Sequence, residues 1–132
     1  MPTEVFTLEL SAAGRDAQIA AARGAVGLHE ARELERGIIA GIGQGRTRVV
    51  IDLTDVTDVG PGLLGVLLRV RRGVTRVGGS LALVVAGPPV SDLVETTLLA
   101  SLIQVAGDRT RALMLVGERP PEPAADRLPA RR

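Results

Sequence analysis

Apolar and polar positions follow regular patterns along the first third of the chain, and they predict two strands and a helix. Residues 4–10 alternate polar and apolar side chains, as a half-buried strand does. Residues 17–23 are predicted to form a second, alanine-rich strand, and residues 24–27 a loop. In residues 28–42 the apolar side chains recur at the spacing of one helical face, which predicts an amphipathic helix.

The middle of the chain has the pattern of a buried strand, a polar loop and a helix. Residues 48–53 are apolar on both faces, which is typical of an interior strand in a parallel sheet. Residues 54–59 are mostly polar and are predicted to form a loop. The turn Gly60-Pro61-Gly62 then begins a Leu- and Val-rich helix that extends to about residue 74.

The rest of the pattern continues this alternation of strands and helices. A strand is predicted at residues 81–86, a helix at 87–99 and a short strand at 102–105, before a last helix that Asp108 caps. The order of elements predicts an α/β fold with a small, mostly parallel sheet, one antiparallel edge strand and about four helices.

The chain changes composition near its end. Residues 1–116 carry the predicted elements and form one domain, which is long enough to build a real core. Residues 117–132 contain four prolines and charges of both signs, so we expect a disordered tail there.

The composition excludes several classes of function. Phe6 is the only aromatic residue, so stacking on nucleic-acid bases is nearly excluded. There is no cysteine and one histidine, His29, which argues against thiolate chemistry, Cys-ligated metals and a catalytic triad. No segment has the ~20 apolar residues of a membrane span or the pattern of a signal peptide. We therefore expect a soluble, cytoplasmic protein without a cofactor, which is not an enzyme and binds neither nucleic acid nor a membrane.

The segment from residue 48 to residue 68 resembles a known family. It contains an apolar run that ends in Asp52-Leu53, then Val56 in the loop, and Leu64-Gly65-Val66-Leu67-Leu68 in the helix. In this order and spacing the residues resemble the STAS domain of the bacterial anti-sigma factor antagonists, and weaker matches extend the resemblance over about residues 4–116. The resemblance implies a domain that binds an anti-sigma factor, often a protein kinase, and so releases a sigma factor.

The same resemblance implies a phosphorylation switch that this chain has lost. The usual loop of the family reads Asp-Ser-Ser/Thr-Gly, and the partner kinase phosphorylates its first serine, which breaks the complex. Here the four positions read Gly60-Pro61-Gly62-Leu63. Pro61 stands at the place of the serine and has no hydroxyl to accept a phosphate. Gly60 replaces the Asp, Asp58 lies where an apolar residue is usual, and Leu98 replaces a later Gly.

We expect the partner to bind at this turn and at the first turns of the helix that follows. The predicted partner-binding residues are Asp58, Gly60, Pro61, Gly62, Leu64 and Leu68. Leu64 and Leu68 lie at the border of the apolar face, so either they pack under a neighbouring helix or they form an exposed strip for a partner. Arg69, Arg72 and Arg76 form a ridge that is either simply solvated or steers an acidic partner.

Other interpretations stay open on the sequence alone. Gly-Pro-Gly is also a good structural start for a helix, since proline suits the first helical position and glycine relieves its steric limits. A divergent STAS scaffold, including a homodimer, is one alternative to the antagonist. A small-ligand or nucleotide sensor is another, because residues 60–65 fit G-x-G-x-x-G. That match is weak, since six residues separate it from the strand and no acidic residue ends the next strand.

The polar residues of the predicted loop suggest two further functions, metal binding and phosphorylation, for which the sequence gives little support. Asp52, Asp55 and Asp58 suggest a metal site, but no partner ligands lie at convincing spacing, so we expect Asp52 to close the strand and Asp55 and Asp58 to solvate or cap the loop. Thr54 and Thr57 could accept a phosphate in place of the missing serine, and only their position supports this.

Overall fold

The computed structural model describes residues 5–117, which form five β-strands and four α-helices around one mixed sheet. The strands are β1 (Thr7–Ala13), β2 (Ala17–Val26), β3 (Arg48–Val59), β4 (Ser80–Val84) and β5 (Gln104–Ala106). Their order in the sheet is their order in the chain. β1 and β2 are antiparallel and the other neighbouring pairs are parallel, which confirms the predicted α/β fold with an antiparallel edge strand.

The helices are α1 (Leu28–Gly43), α2 (Leu63–Arg76), α3 (Val90–Thr97) and α4 (Arg109–Leu115), and a 3₁₀ helix at Leu99–Ser101 follows α3. The Leu- and Val-rich helix predicted after the Gly-Pro-Gly turn is α2, and its buried residues are Leu63, Val66, Leu67, Val70 and Val74. Asp108 caps α4 as predicted, since its Oδ1 accepts a hydrogen bond from the backbone N–H of Arg111 (2.8 Å).

The two faces of the sheet carry cores of unequal size. α1, α2 and α3 cover one face, where the main cluster includes Leu34 and Leu67. α4 packs on the other face with a smaller cluster that includes Val50 and Ala112. Both cores are aliphatic, as the composition predicts, and Phe6 lies half-buried at the rim of the larger one.

The prediction of a loop at residues 54–59 is wrong, because β3 continues to Val59. β4 pairs with β3 only as far as Asp52, whereas β2 follows β3 to its end. The second half of β3 therefore extends beyond the body of the sheet, and its polar side chains face water while Val56 stays buried. The predicted loop at residues 24–27 is likewise mostly strand, since β2 reaches Val26 by way of register shifts at residues 21–25.

Smaller differences have local causes. β1 ends at Ala13 rather than at residue 10, because Ala13 pairs with Ala17 around a tight turn that contains Gly14 (φ 71°). β5 lies at residues 104–106 instead of 102–105, because the 3₁₀ helix occupies the chain just before it. α3 is shorter than predicted and ends at Thr97, because Leu98 adopts the left-handed conformation (φ 55°, ψ 32°).

The predicted tail lies, except for Gly117, outside the described residues. Within residues 5–117 none of the helices combines the length and the apolar character needed to cross a membrane.

Candidate functional site

The predicted site is built on the projecting end of β3 and its pairing with β2. The register brings Asp58 beside Ala25 and Val59 beside Val26. The next residue continues this pairing, because the N–H of Gly60 donates to the carbonyl oxygen of Val26 at 2.8 Å. The chain thus reaches the turn directly beside the residues that begin α1.

Gly60 and Gly62 lie so close to the start of α1 that a side chain does not fit at Gly62. A Cβ at Gly62 would lie 2.6 Å from Leu28 Cδ1 and 2.8 Å from Leu28 Cα. A Cβ at Gly60 would lie 3.0 Å from Gly27 Cα, which is closer than side chains normally approach. Packing against the start of α1 therefore requires a glycine at position 62 and leaves little room for a side chain at position 60. The sequence did not identify Leu28 as part of this site, although two glycines at one helix start are a signal of close backbone approach.

Pro61 is exposed between these two packed glycines. It does not occupy the first helical position, as the sequence interpretation supposed, because α2 begins at Leu63 and Gly62 is its N-cap. The N–H of Val66 donates to the carbonyl oxygen of Gly62 at 3.2 Å, and no side chain caps this end of the helix. The turn therefore presents the proline ring to solvent ahead of the helix.

Leu64 and Leu68 are half-buried and pack against the main core. They do not form a fully exposed apolar strip, and they are not hidden under another helix either. Each contributes part of its side chain to the core and leaves the rest at the surface of α2. The two leucines can still contact a partner, but substituting them also disturbs the core.

Asp58 is exposed and lies in an open groove of about 460 Å³ beside the turn. The residues that line the groove are Val5, Phe6, Ala25, Val26, Gly27, Glu30, Asp58 and Gly60. Glu30 is held in place, since its Oε1 accepts a hydrogen bond from the N–H of Gly27 (3.1 Å). The site therefore combines an apolar wall with two carboxylates, and it includes Phe6, which the sequence analysis did not assign to a site.

Among the ridge arginines Arg69, Arg72 and Arg76, Arg69 is already bound within the protein and is therefore not available to a partner. Its Nε and Nη2 each donate to a carboxylate oxygen of Glu35 at 3.0 Å, which joins α1 to α2. The hydrogen bond from Arg69, with its positive charge, holds the pKa of Glu35 below its usual value. Arg72 and Arg76 are exposed on the same helix.

Asp52 lies inside β3 and is almost fully buried, so it is not the strand-closing residue that the sequence suggested. Its Oδ1 accepts hydrogen bonds from the N–H (3.0 Å) and the hydroxyl (2.6 Å) of Thr54, and its Oδ2 pairs with Arg109 of α4. Burial opposes ionisation, but these donors outweigh it and lower the pKa of Asp52. Asp52 therefore stabilises the fold by joining β3 to α4.

The three aspartates are not gathered into one site. Asp55 pairs with Arg23 at 3.1 Å on the exposed end of β3, whereas Asp58 lies in the groove. In the described part of the chain, no three acidic, His or Cys side chains are close enough together to hold a metal ion. Thr54 and Thr57 are both exposed, and the hydroxyl of Thr54 is engaged by Asp52.

Comparison with protein families identifies the family of this domain. Residues 9–107 match the family model described as "Mlab, STAS domain". A search of curated proteins found no match.

Solved structures of several anti-sigma factor antagonists have a similar fold. An anti-sigma factor antagonist from Mycobacterium paratuberculosis superimposes with a TM-score of 0.76 at 21% identity, over 85% of this chain and 94% of the other. A putative antagonist from Thermotoga maritima gives a TM-score of 0.67 at 18% identity, over 84% and 93% of the two chains. The antagonist SpoIIAA in its unphosphorylated form gives 0.66 at 15% identity, over 82% and 94%.

Proposed function

This chain belongs to the STAS domain family, and from that premise we propose that it is a non-enzymatic regulator that binds an anti-sigma factor without a phosphorylation switch. The solved structures with a similar fold include anti-sigma factor antagonists, and the proposal transfers that role to this chain. The partner is an anti-sigma factor, expected to be kinase-like, and the contact is between proteins.

The observation that carries the proposal is the exposed Pro61 between two glycines packed on α1. A surface turn at this place in the fold presents a fixed shape to a partner, since proline restricts the backbone and its neighbours are sterically locked. It offers no hydroxyl for a kinase. A complex formed through this turn is therefore constitutive, and ATP does not dissolve it.

The contact surface proposed here extends from the groove to the first turns of α2. Pro61 forms its centre, Asp58 supplies a carboxylate on one side, and Leu64 and Leu68 supply apolar area on the other. Gly60 and Gly62 contribute backbone and keep the turn close to α1. Because Leu64 and Leu68 are half-buried, their exposed edges need little reordering on binding, which lowers the entropic cost of association.

The test is calorimetric titration of this protein against each anti-sigma factor kinase of its own host, with and without ATP. We expect one kinase to bind with the same dissociation constant in both conditions. Binding that disappears during ATP turnover would show that another residue, such as Thr57, carries a phosphate. If none of the kinases binds, the antagonist proposal is wrong, and a divergent scaffold with another partner is favoured.

Matched variants locate the contact. Pro61→Glu places a negative charge on the exposed turn and is expected to weaken binding at least tenfold. Leu64→Glu should also weaken binding at least tenfold. Because this substitution disturbs the core as well, the melting temperature of the variant must be measured. Ile39→Glu is the control, because Ile39 is 53% exposed on α1 and lies outside the proposed contact. Equal losses for Ile39→Glu and Pro61→Glu would argue against a contact at the turn.

A further inference from the structure

Leu98 combines backbone strain with exposure of its side chain. Its φ of 55° is the one left-handed value at a non-glycine residue within residues 5–117. Residues other than Gly, Asn and Asp rarely adopt this conformation, and a bulky side chain makes it unfavourable. The side chain is also 72% exposed, so burial in the core offsets little of that strain. Folding therefore does not explain why an apolar side chain occupies this position.

The turn that carries Leu98 is firmly held. The carbonyl oxygen of Leu98 accepts hydrogen bonds from the N–H (3.0 Å) and the hydroxyl (2.7 Å) of Ser101. The turn ends at Leu102, which is 49% exposed, and its carbonyl oxygen accepts a hydrogen bond from Arg71 Nε of α2 at 2.8 Å. Arg71 thus ties this apolar turn to the arginine-bearing face of α2.

That face of α2 is strongly cationic. The helix contains four arginines and no acidic residue. Glu35 neutralises Arg69, but Arg71, Arg72 and Arg76 make no ion pair with any residue in 5–117. These three arginines border an open groove of about 410 Å³, which Leu68 and Thr75 complete.

We propose that the arginine groove of α2 and the Leu98–Leu102 turn form a second docking surface, which binds an acidic amphipathic segment of a partner protein. The surface is complementary in charge to carboxylates and offers exposed leucines to an apolar stripe. Leu68 lies at the end of the groove nearest the turn at Pro61, so the two surfaces adjoin. The inference goes beyond the proposed function, because it depends on neither Pro61 nor an anti-sigma factor.

The probe is a fluorescent, helix-forming peptide of about 18 residues with Leu on one face and Glu on the others. We expect saturable binding by anisotropy, which weakens several-fold between ~50 mM and ~500 mM NaCl because exposed charges are screened. A peptide with Lys in place of Glu, and one with Ser in place of Leu, should each bind at least tenfold more weakly. Absence of binding by the Leu/Glu peptide overturns the proposal, as does equal binding by either control peptide.

Leu98→Gly and Leu98→Asn separate docking from folding. Gly and Asn both tolerate the left-handed conformation, so we expect an unchanged or higher melting temperature together with about tenfold weaker peptide binding. A lower melting temperature with unchanged binding would assign Leu98 a structural role and overturn the proposal. Ile39→Asn is the control for loss of an exposed apolar side chain, and it should leave peptide binding unchanged.

Charge variants test the groove and its occupant. Arg72→Glu combined with Arg76→Glu should weaken peptide binding at least tenfold, whereas Arg36→Glu on α1 should not. Pro61→Glu should bind the peptide normally, so failure of the proposed function and failure of this inference remain distinguishable. Tighter binding to phosphatidylserine vesicles than to the peptide, lost in the same arginine variant, would identify a lipid surface instead and overturn the inference.

Discussion

At the scale of single residues, Gly62 shows how one missing Cβ determines the shape of a surface. The usual loop of the family has a hydroxyl-bearing residue at this position, and a serine there would be a good N-cap for α2. In this protein the space is taken by Leu28, whose Cα would lie 2.8 Å from the added Cβ. At this helix start no side chain caps α2, and the backbone instead packs directly against Leu28.

We predict that Gly62→Ser lowers the free energy of unfolding by about 1–2 kcal/mol. Replacing the N-cap Gly62 by Ser gains only about 0.3 kcal/mol from capping, whereas overpacking costs about 1–3 kcal/mol. Urea denaturation measures the change. Adding Leu28→Ala, which removes Cδ1, the atom nearest to a Cβ at Gly62, but keeps Cα and Cβ, should cost less than the sum of the two single substitutions.

The control for that variant is Gly73→Ala. Gly73 also lies in α2, and a Cβ there would meet nothing within 4 Å. We predict that Gly73→Ala raises the free energy of unfolding by about 0.5–1 kcal/mol, because alanine restricts the unfolded chain and favours helix. Equal destabilisation by Gly73→Ala and Gly62→Ser would contradict the steric account of Gly62.

At the scale of elements, the contact between Asp52 and Arg109 joins the central strand to α4. The folded state holds the pKa of Asp52 below its ordinary value of 3.8. The carboxylate therefore stabilises the fold fully at pH values above about 4 and loses this contribution as the pH falls toward its folded pKa.

We predict that Asp52→Asn lowers the free energy of unfolding by about 1–2 kcal/mol at pH 7, because Arg109 and Thr54 lose a charged acceptor. The difference between wild type and variant should shrink as the pH falls from ~4 to ~2.5. Urea denaturation across this range measures it. The control is Asp92→Asn, which removes an exposed carboxylate on α3. If the difference in unfolding free energy between wild type and Asp52→Asn stays constant with pH, the ion-pair account is wrong.

The sequence predicted the order and the type of the elements because their apolar patterns reflect burial against the sheet. It missed the second half of β3, because Thr54, Asp55, Thr57 and Asp58 project from a strand that only β2 accompanies. In this half of β3 most side chains are polar, as they are in a loop, but the backbone hydrogen bonds are those of a strand.

The candidate site was predicted in part. Its place in the chain follows from the helix start and from the family resemblance, and its role as a partner-binding surface stays a prediction. The role of Leu28 was not predictable, because the distance between the starts of α1 and α2 depends on how far β2 and β3 extend together. The half-burial of Leu64 and Leu68 depends on the same packing, since a helical wheel gives their direction and not the depth of their contact.

At the scale of the whole molecule, the two faces of the sheet are covered by helices to very different extents. In the described part of the chain, three helices pack on one face and only the seven-residue α4 on the other. α4 is held by a small cluster, by Asp52 and by Arg48, whose Nη1 donates to the carbonyl oxygen of Val116 at 2.7 Å. A short helix with few buried contacts opens at a lower free energy than the central strands.

We predict that the amides of α4 exchange with solvent at least tenfold faster than those of residues 49–52 in β3, because α4 detaches without global unfolding. Hydrogen exchange followed by NMR at pH 7 measures this. Asp52→Asn should speed exchange in α4 more than it speeds exchange in α1. Equal protection of α4 and β3 would mean that the whole domain opens as one unit.

The packing of Gly60 and Gly62 against α1 also has an evolutionary consequence. Pro61 is exposed, and a single substitution could place a serine there, but the residues that flank the serine in the usual loop would meet the backbone of Gly27 and Leu28. A chain with the complete family loop would therefore need a different position for the start of α1. Substitutions at residues 60 to 62 alone would reach that loop only through less stable intermediates, so the packing of α1 keeps this turn in its present form.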